Sequence, residues 1–217
     1  MFKSADELSS IRSAIVTACE KSIYDHRVLM PKFVGEQFPH MLEDCQVKYA
    51  RFKRAIVEVL RPKTVYEVGV GWGVSANAFY DGDPSIEFFG IDNGEMGIEP
   101  HKVLPLAAGY VIQDTSELNY FSMPSGKPID LLHIDGGHGL EHKAEDIVRA
   151  LRSKPEWILV DDIRNVMVAA GTFAGLYIAH DCPDIHMLYF ENSHTGNLLI
   201  HADRDKIENR GLTIQRT

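Results

Sequence analysis

Three carboxylates and a histidine follow two apolar runs of the chain, at the points where these runs end. Asp135 and His138 enclose a Gly-Gly pair after one run, and Asp161 and Asp162 follow the next. Neighbouring parallel strands end at the same edge of a sheet, where ligands bind. Carboxylates crowded there repel each other, and a hard cation such as Mg²⁺ offsets the repulsion. The sequence therefore predicts a divalent-cation site at Asp135, Asp161 and Asp162, with His138 facing the same cavity.

Other histidines fit structural roles better. His133 lies inside a predicted strand and is expected to be a buried, hydrogen-bonded core residue. His142 lies on a predicted helix beside Glu141 and Glu145, which is typical of a solvated face. We therefore assign neither of these two histidines to the cation site.

A second set of residues marks the turn after the first predicted strand. Glycines recur there at alternate positions, at Gly69, Gly71 and Gly73, and Glu67 lies just before them. Glycines permit a tight turn and let a ligand approach the backbone closely. The second strand ends in Asp92, 23 residues after Gly69, where an acidic residue can hydrogen-bond a ribose diol. Together these residues predict a site for an adenosine ligand.

The spacing of the glycines argues against a dinucleotide. A dinucleotide site favours Gly-x-Gly-x-x-Gly, and here the pattern is Gly-x-Gly-x-Gly. A carboxylate at Glu67 would repel a pyrophosphate but suits a ligand with an ammonium and a sulfonium group. Asp114 and Thr115 follow the third strand, where the edge of an adenine would lie. A nicotinamide oxidoreductase is therefore disfavoured.

The elements that must position these residues begin at residue 64, where short apolar runs start to alternate with helical patterns. Runs without polar alternation are typical of strands covered on both faces, so helices should flank a mainly parallel sheet. The last two runs leave no room for a helix between them and predict a hairpin. We therefore predict an α/β fold, Rossmann-like and doubly wound, whose mostly parallel seven-stranded sheet ends in a C-terminal antiparallel hairpin. The predicted strands are Thr64–Val70, Ile86–Ile91, Gly109–Ile112, Ile129–Ile134, Trp157–Val160, His186–Phe190 and Asn197–His201.

Helical patterns fill the chain before the sheet. Residues 1–61 are predicted to form a helical cover or substrate lid over a sheet domain of residues 62–217, with a helix from about Met41 to Leu60. The apolar segment Val166–Ile178 is predicted to be buried by the sheet or to form a homodimer interface. Candidate wall residues of the site are Tyr24, Phe33, Phe38 and Trp72.

Composition excludes several classes of partner. The net charge is −9, and residues 62–217 alone carry −11, which argues against electrostatic binding of nucleic acid or an anionic membrane. No apolar run approaches the ~20 residues of a membrane span. The three cysteines form no CxxC pair, which favours a reducing compartment. We expect a cytoplasmic protein that acts on a small molecule.

The glycine turn, Asp92 and Asp114, in this order and at these strand positions, resemble class I S-adenosylmethionine (SAM)-dependent methyltransferases over about residues 62–203. The resemblance implies that the glycine turn holds the methionine part of SAM, Asp92 the ribose and Asp114 the adenine. The cofactor-binding residues that it implies are Glu67, Gly69, Gly71, Gly73, Asp92, Asn93, Asp114, Thr115 and Asp135.

The segments Ile134–His138 and Val160–Asp162 are similar to a narrower family, which contains macrocin-type sugar O-methyltransferases and antibiotic-biosynthesis relatives. This resemblance implies that Asp135, Asp161 and Asp162 bind Mg²⁺ or another divalent cation and that His138 is the base. The acidic pair begins with Asp161 where the family has the longer Glu. Direct coordination is therefore less expected of Asp161 than of Asp135 and Asp162.

The hypothesis from the sequence is methyl transfer from SAM to a hydroxyl of a small polar acceptor. A cation lowers the pKa of such a hydroxyl, and His138 takes its proton. Two alternatives keep the cofactor: SAM chemistry without methyl transfer, such as intramolecular cyclisation, and a cofactor-binding protein without catalysis. The joint presence of Asp135, His138, Asp161 and Asp162 argues against the second alternative.

Overall fold

Helices form much of the described N-terminal part of the chain. The computed structural model describes residues 4–28, 38–95, 102–105, 107–179, 185–191 and 195–202. Helix α1 (Ala5–Lys21) begins at Ser4, whose side chain forms a capping box with Glu7. Helix α2 (Asp44–Leu60) ends at Arg61, which has a left-handed backbone conformation (φ 52°). Short 3-10 helices at His26–Val28 and Pro39–Leu42 precede α2, so this helix begins later than the sequence predicts.

The sheet has seven strands in the order β3-β2-β1-β4-β5-β7-β6. Strands β1 to β5 pair in parallel, whereas β7 runs antiparallel to both β5 and β6. The predicted fold and its C-terminal hairpin are therefore confirmed. The strands are β1 (Thr64–Val68), β2 (Glu87–Asp92), β3 (Gly109–Ile112), β4 (Leu131–Ile134), β5 (Trp157–Val160), β6 (Ile185–Phe190) and β7 (Asn197–Ala202).

Helices cover both faces of the sheet. Successive residues of a strand point to opposite faces. Val65 of β1 therefore joins a core with α1, α2 and α3 (Val74–Gly82), and Tyr66 joins a second core with α4 (Leu140–Arg152) and α5 (Val166–Ala179). The order of the strands reverses between β1 and β4, and ligands bind at such a switch point in open α/β sheets.

Helix α5 packs closely on α4. A Cβ atom at Gly171 would lie 2.5 Å from the carbonyl oxygen of Leu140, and one at Gly175 would lie 2.6 Å from that of Ala144. Larger residues at these positions would separate the two helices. The part of the chain that the structure describes contains no helix with the length and apolar character needed to cross a membrane.

Candidate active site

The turn after β1 lies against the turn after β4. Gly69 has a positive φ of 84°, and a Cβ atom there would lie 2.5 Å from the backbone nitrogen of Gly136. Only glycine allows both this backbone conformation and this approach. Strand β1 consequently ends at Val68, two residues before the predicted end. The close approach brings the glycine turn and Asp135 to the same edge of the sheet.

Asp92 joins the end of β2 to the glycine turn. Its Oδ2 accepts a hydrogen bond from the N–H of Gly71 at 3.0 Å, and its Oδ1 accepts one from Gly94 at 2.8 Å. A carboxylate oxygen can accept more than one hydrogen bond, so Asp92 can also accept a hydrogen bond from a hydroxyl of a ligand. Asp114 lies at the end of β3, and hydrogen bonds from Ser116 lower the pKa of its carboxyl.

These residues line one cleft of about 750 Å³, within the ~300–1,000 Å³ that is common for ligand sites. The structure brings together most of the predicted cofactor residues there, and they share the cleft with the predicted acid–base residues. The cofactor residues that line it are Gly69, Gly71, Asp92, Asn93, Asp114, Thr115 and Asp135. Gly73 and Glu67 lie behind this lining: Gly73 begins α3, and Glu67 is fully buried.

His138 and Asp162 form a close pair in this cleft. Nε2 of His138 lies 2.5 Å from Oδ2 of Asp162, and the side chain of His138 is 56% exposed. The hydrogen bond that His138 donates to Asp162 raises the pKa of His138 and helps to lower the pKa of Asp162. Since Asp162 holds Nε2, Nδ1 is the ring nitrogen that can accept a proton.

Asp135 lies deeper than this pair. Its Oδ2 accepts a hydrogen bond of 2.8 Å from the hydroxyl of Tyr49, which belongs to α2. Burial and the nearby Asp161 raise the pKa of Asp135 to about 8. Burial is the main cause, and the positive charge of Lys53 offsets it only in part, so a cation bound beside Asp135 would stabilise the ionised form of this carboxyl.

A buried network lies beneath the cleft. Lys53 Nζ is 2.9 Å from Nε2 of His133, and Nδ1 of His133 is 2.8 Å from Oε1 of Glu67. Lys53 also donates to Oδ1 of Asn197 at 2.7 Å and lies 3.3 Å from Oδ2 of Asp161. His133 is thus buried and hydrogen-bonded, as predicted. Burial raises the pKa of Glu67, whose Oε2 has no hydrogen-bond partner among the described residues.

Two groups of side chains could hold a metal ion within the described residues. Asp135, His138 and Asp162 form one, and His133, Asp135 and Asp161 form the other; in each group the ligand atoms lie within 4.8 Å of one another. The first group opens into the cleft, and its oxygen-rich donor set fits a divalent cation. Two members of the second group, His133 and Asp161, contact the ammonium of Lys53.

The helical cover contributes residues that the sequence does not reveal. Tyr49 and Lys53 are four residues apart on the buried face of α2, among apolar neighbours such as Phe52 and Ile56. The sequence signal for Lys53 is the presence of a lysine within an apolar helical stripe. Among the candidate wall residues, Trp72 lines the cleft and stacks on Phe38, with 3.9 Å between the ring centroids.

Of the other candidate wall residues, one lies away from the cleft and one cannot be placed. Tyr24 packs in the core of the helical layer, and Phe33 lies outside the described residues. The exposed His142, which we assign to a solvated face, also lines the cleft.

Solved methyltransferase structures share this fold. The structure of the methyltransferase PaMTH1 from Podospora anserina, bound to S-adenosylhomocysteine (SAH), has a TM-score of 0.62 at 17% identity and covers 94% of this chain and 98% of that chain. The O-methyltransferase TomG from Streptomyces achromogenes, involved in tomaymycin synthesis and in complex with SAM, has a TM-score of 0.53 at 14% identity, over 93% and 92% of the two chains. The Bacillus cereus O-methyltransferase in complex with SAH has a TM-score of 0.52 at 14% identity, over 89% and 91%.

No protein-family model matches the chain, and no curated protein matches its sequence. The structural likeness therefore establishes the fold, which is that of class I SAM-dependent methyltransferases.

Proposed function

We propose that this protein transfers the methyl group of SAM to a hydroxyl of a small polar acceptor. One observation carries the proposal. A single cleft in a methyltransferase fold is lined both by the predicted cofactor residues and by Asp135, His138 and Asp162. Two of the solved structures with this fold hold SAH and one holds SAM, which supports SAM as the cofactor.

The glycine turn and Asp92 position the cofactor in this proposal. The turn supplies backbone that a ligand can approach closely, and it is tied to Asp92 through Gly71. Asp92 then accepts a hydrogen bond from a ribose hydroxyl, and Asp114 lies beside the adenine. Glu67 lies buried beneath the turn, where its Oε1 is 2.8 Å from Nδ1 of His133. Because SAM carries a sulfonium, an acidic cleft favours it over an anionic dinucleotide.

His138 is the proposed base. The oxygen of the acceptor forms a bond to the methyl carbon, the carbon–sulfur bond breaks, and its electron pair goes to the sulfur, which leaves SAH. The hydroxyl proton goes to Nδ1 of His138, and the imidazolium that forms is stabilised by Asp162 at 2.5 Å. The remaining contribution is the alignment of oxygen, carbon and sulfur within the cleft.

A divalent cation such as Mg²⁺ fits the proposed site. Asp135 and Asp162 would hold it, with His138 beside it; Asp161, the third predicted ligand, already contacts Lys53. A bound cation lowers the pKa of an acceptor hydroxyl and offsets the repulsion between carboxylates. The raised pKa of Asp135 supports this assignment, because it marks a buried carboxyl whose ionised form a bound cation would stabilise.

The proposal is tested by the product formed from SAM. Purified protein is incubated with SAM, Mg²⁺ and a panel of hydroxyl-bearing small molecules, and the nucleoside products are separated by mass spectrometry. We expect SAH and an acceptor heavier by one methylene. Methylthioadenosine as the product would instead indicate cyclisation of SAM, and SAM binding without turnover would indicate a cofactor-binding protein. A change in NADH absorbance would contradict the choice of cofactor.

A homodimer and a cytoplasmic location also stay predictions. Large apolar side chains are exposed on α5, with Val166 75% and Tyr177 87% exposed. A second copy of the chain covering this face is consistent with the uncharged sequence of the helix.

A further inference from the structure

The ammonium of Lys53 is held by three elements of the sheet. Its contacts are Nε2 of His133 on β4 at 2.9 Å, Oδ1 of Asn197 on β7 at 2.7 Å, and Oδ2 of Asp161 after β5 at 3.3 Å. The side chain of Lys53 is 0% exposed. The first two contacts are hydrogen bonds and the third is an ion pair. Lys53 is therefore a fixed, buried positive charge.

The contacts of His133 fix its tautomer. Lysine can only donate, so Nε2 of His133 accepts from Lys53, and Nδ1 carries the hydrogen that Glu67 accepts at 2.8 Å. A metal ion needs a free lone pair on an imidazole nitrogen. Since Lys53 already takes that lone pair, His133 cannot bind a metal while Lys53 is in place.

The two residues of the acidic pair face different partners. Asp162 has a left-handed backbone conformation with φ 57°, and its carboxylate lies against His138 in the cleft. Asp161 is 2% exposed, and its Oδ2 faces Lys53. Oδ1 of Asp161 accepts two hydrogen bonds, one from the N–H of Asp162 at 2.9 Å and one from the hydroxyl of Thr195 at 3.3 Å. Both oxygens of Asp161 are therefore engaged by the chain itself.

We propose that Lys53 is the resident cation of the acidic cluster. Its ammonium fills the position between His133 and Asp161, so that Asp161 serves as its counterion and a divalent cation is confined to Asp135 and Asp162. The divalent part of this inference rests on the proposed function. Lys53 is a positioning residue, and it makes α2 of the helical cover an integral part of the site.

Binding of Mn²⁺ to the protein without SAM or acceptor tests this inference. Calorimetric titration compares wild type, Asp161→Asn and Asp162→Asn. We expect Asp162→Asn to weaken Mn²⁺ binding by about 10- to 100-fold. Asp161→Asn should weaken Mn²⁺ binding far less than Asp162→Asn does, because the carboxylate of Asp161 faces Lys53. An equal loss in both variants would show that Asp161 is a ligand and would overturn the inference, while the proposed function would stand.

Lys53→Met vacates the proposed position of the resident cation. We expect it to gain a second Mn²⁺ site, because the lone pair of His133 and the carboxylate of Asp161 become free. The gain should disappear in Lys53→Met/Asp161→Asn. Lys48→Met is the matched control, since Lys48 is exposed on the same helix and its loss should change nothing. A Lys53→Met protein that gains no Mn²⁺ would contradict the inference.

Two further outcomes separate this inference from the proposed function. If wild type binds no Mn²⁺ and Lys53→Met does, the proposed divalent cation is wrong and the resident cation is supported. If Lys53→Met is unfolded in EDTA, we expect Mn²⁺ to restore its cooperative melting, because a ligand that binds only the folded state stabilises it. A variant that stays unfolded in Mn²⁺ would overturn the inference.

Discussion

At the scale of single residues, the chemistry depends on His138. We expect His138→Gln to lower the turnover of any accepted substrate by about 10²- to 10⁴-fold, because the proton acceptor is lost. Its affinity for SAM should not change, since the glycine turn and Asp92 are intact. SAH formation and calorimetric SAM binding measure the two effects. His186→Gln on β6 is the control, because His186 does not line the cleft. Turnover that survives His138→Gln would exclude this residue as the base.

Asp135 makes the stability of the protein depend on pH. Its pKa is about 8 in the folded chain, against about 3.9 for an unfolded Asp. Between these values the folded state keeps a proton that the unfolded state has lost, so stability falls as pH rises through this range. The Asp135→Asn variant can still accept the hydrogen bond from Tyr49. We expect its melting temperature to exceed that of wild type at about pH 8 in EDTA. The difference should shrink towards about pH 4.

Asp83 provides a control of opposite sign. Hydrogen bonds from Ser85 lower the pKa of its carboxyl in the folded chain. The ionised form therefore stabilises the fold at neutral pH, and this contribution is lost as pH falls through the lowered pKa. Asp83→Asn should melt below wild type at neutral pH. A pH-independent effect of Asp135→Asn would mean that its carboxyl is not neutral in the folded protein.

At the scale of elements, the approach of the β1 and β4 turns depends on Gly69. Gly126 also has a positive φ, of 74°, but a Cβ atom there would meet no atom within 4 Å. Gly126→Ala should therefore cost only the backbone strain, about 1–2 kcal/mol. Gly69→Ala adds a clash with the backbone of Gly136 and should cost more in the free energy of unfolding. It should also weaken the stabilisation of the protein by SAM, measured as the shift in melting temperature. Equal costs for the two variants would contradict the close approach.

The elements that carry the site were predictable because each leaves a local signal. Uninterrupted apolar runs mark buried strands, and Asp92 and Asp135 follow such runs directly. The sequence could not predict that Asp161 and Asp162 face different partners, since this depends on the left-handed backbone of Asp162. The position of Lys53 within an apolar helical stripe is its one local signal, and that signal does not indicate its partners. A lysine in a helix normally lies on the surface, and only the packing of α2 across the strand ends buries it.

At the scale of the molecule, the negative charge concentrates in residues 62–217, which carry −11 of charge against +2 in residues 1–61. The two parts meet where Lys53 contacts Asp161 and Tyr49 contacts Asp135. The helical cover thus supplies one buried positive charge and one hydroxyl to an acidic sheet edge. The remaining negative charge there suits cationic ligands, which fits both a sulfonium and a divalent ion.

The exposed face of α5 predicts the behaviour of the whole molecule in solution. Val166, Phe173 and Tyr177 are spaced by seven and four residues, so they lie on one side of the helix, and each is at least half exposed. An apolar patch of this kind is typical of an interface. Light scattering should give about twice the chain mass of 24.4 kDa for wild type and the chain mass for Tyr177→Glu. Tyr189→Glu on β6, whose side chain is 44% exposed, is the control and should remain a dimer. A monomeric wild type would contradict the homodimer and leave the cleft chemistry untouched, because none of the three α5 side chains lines the cleft.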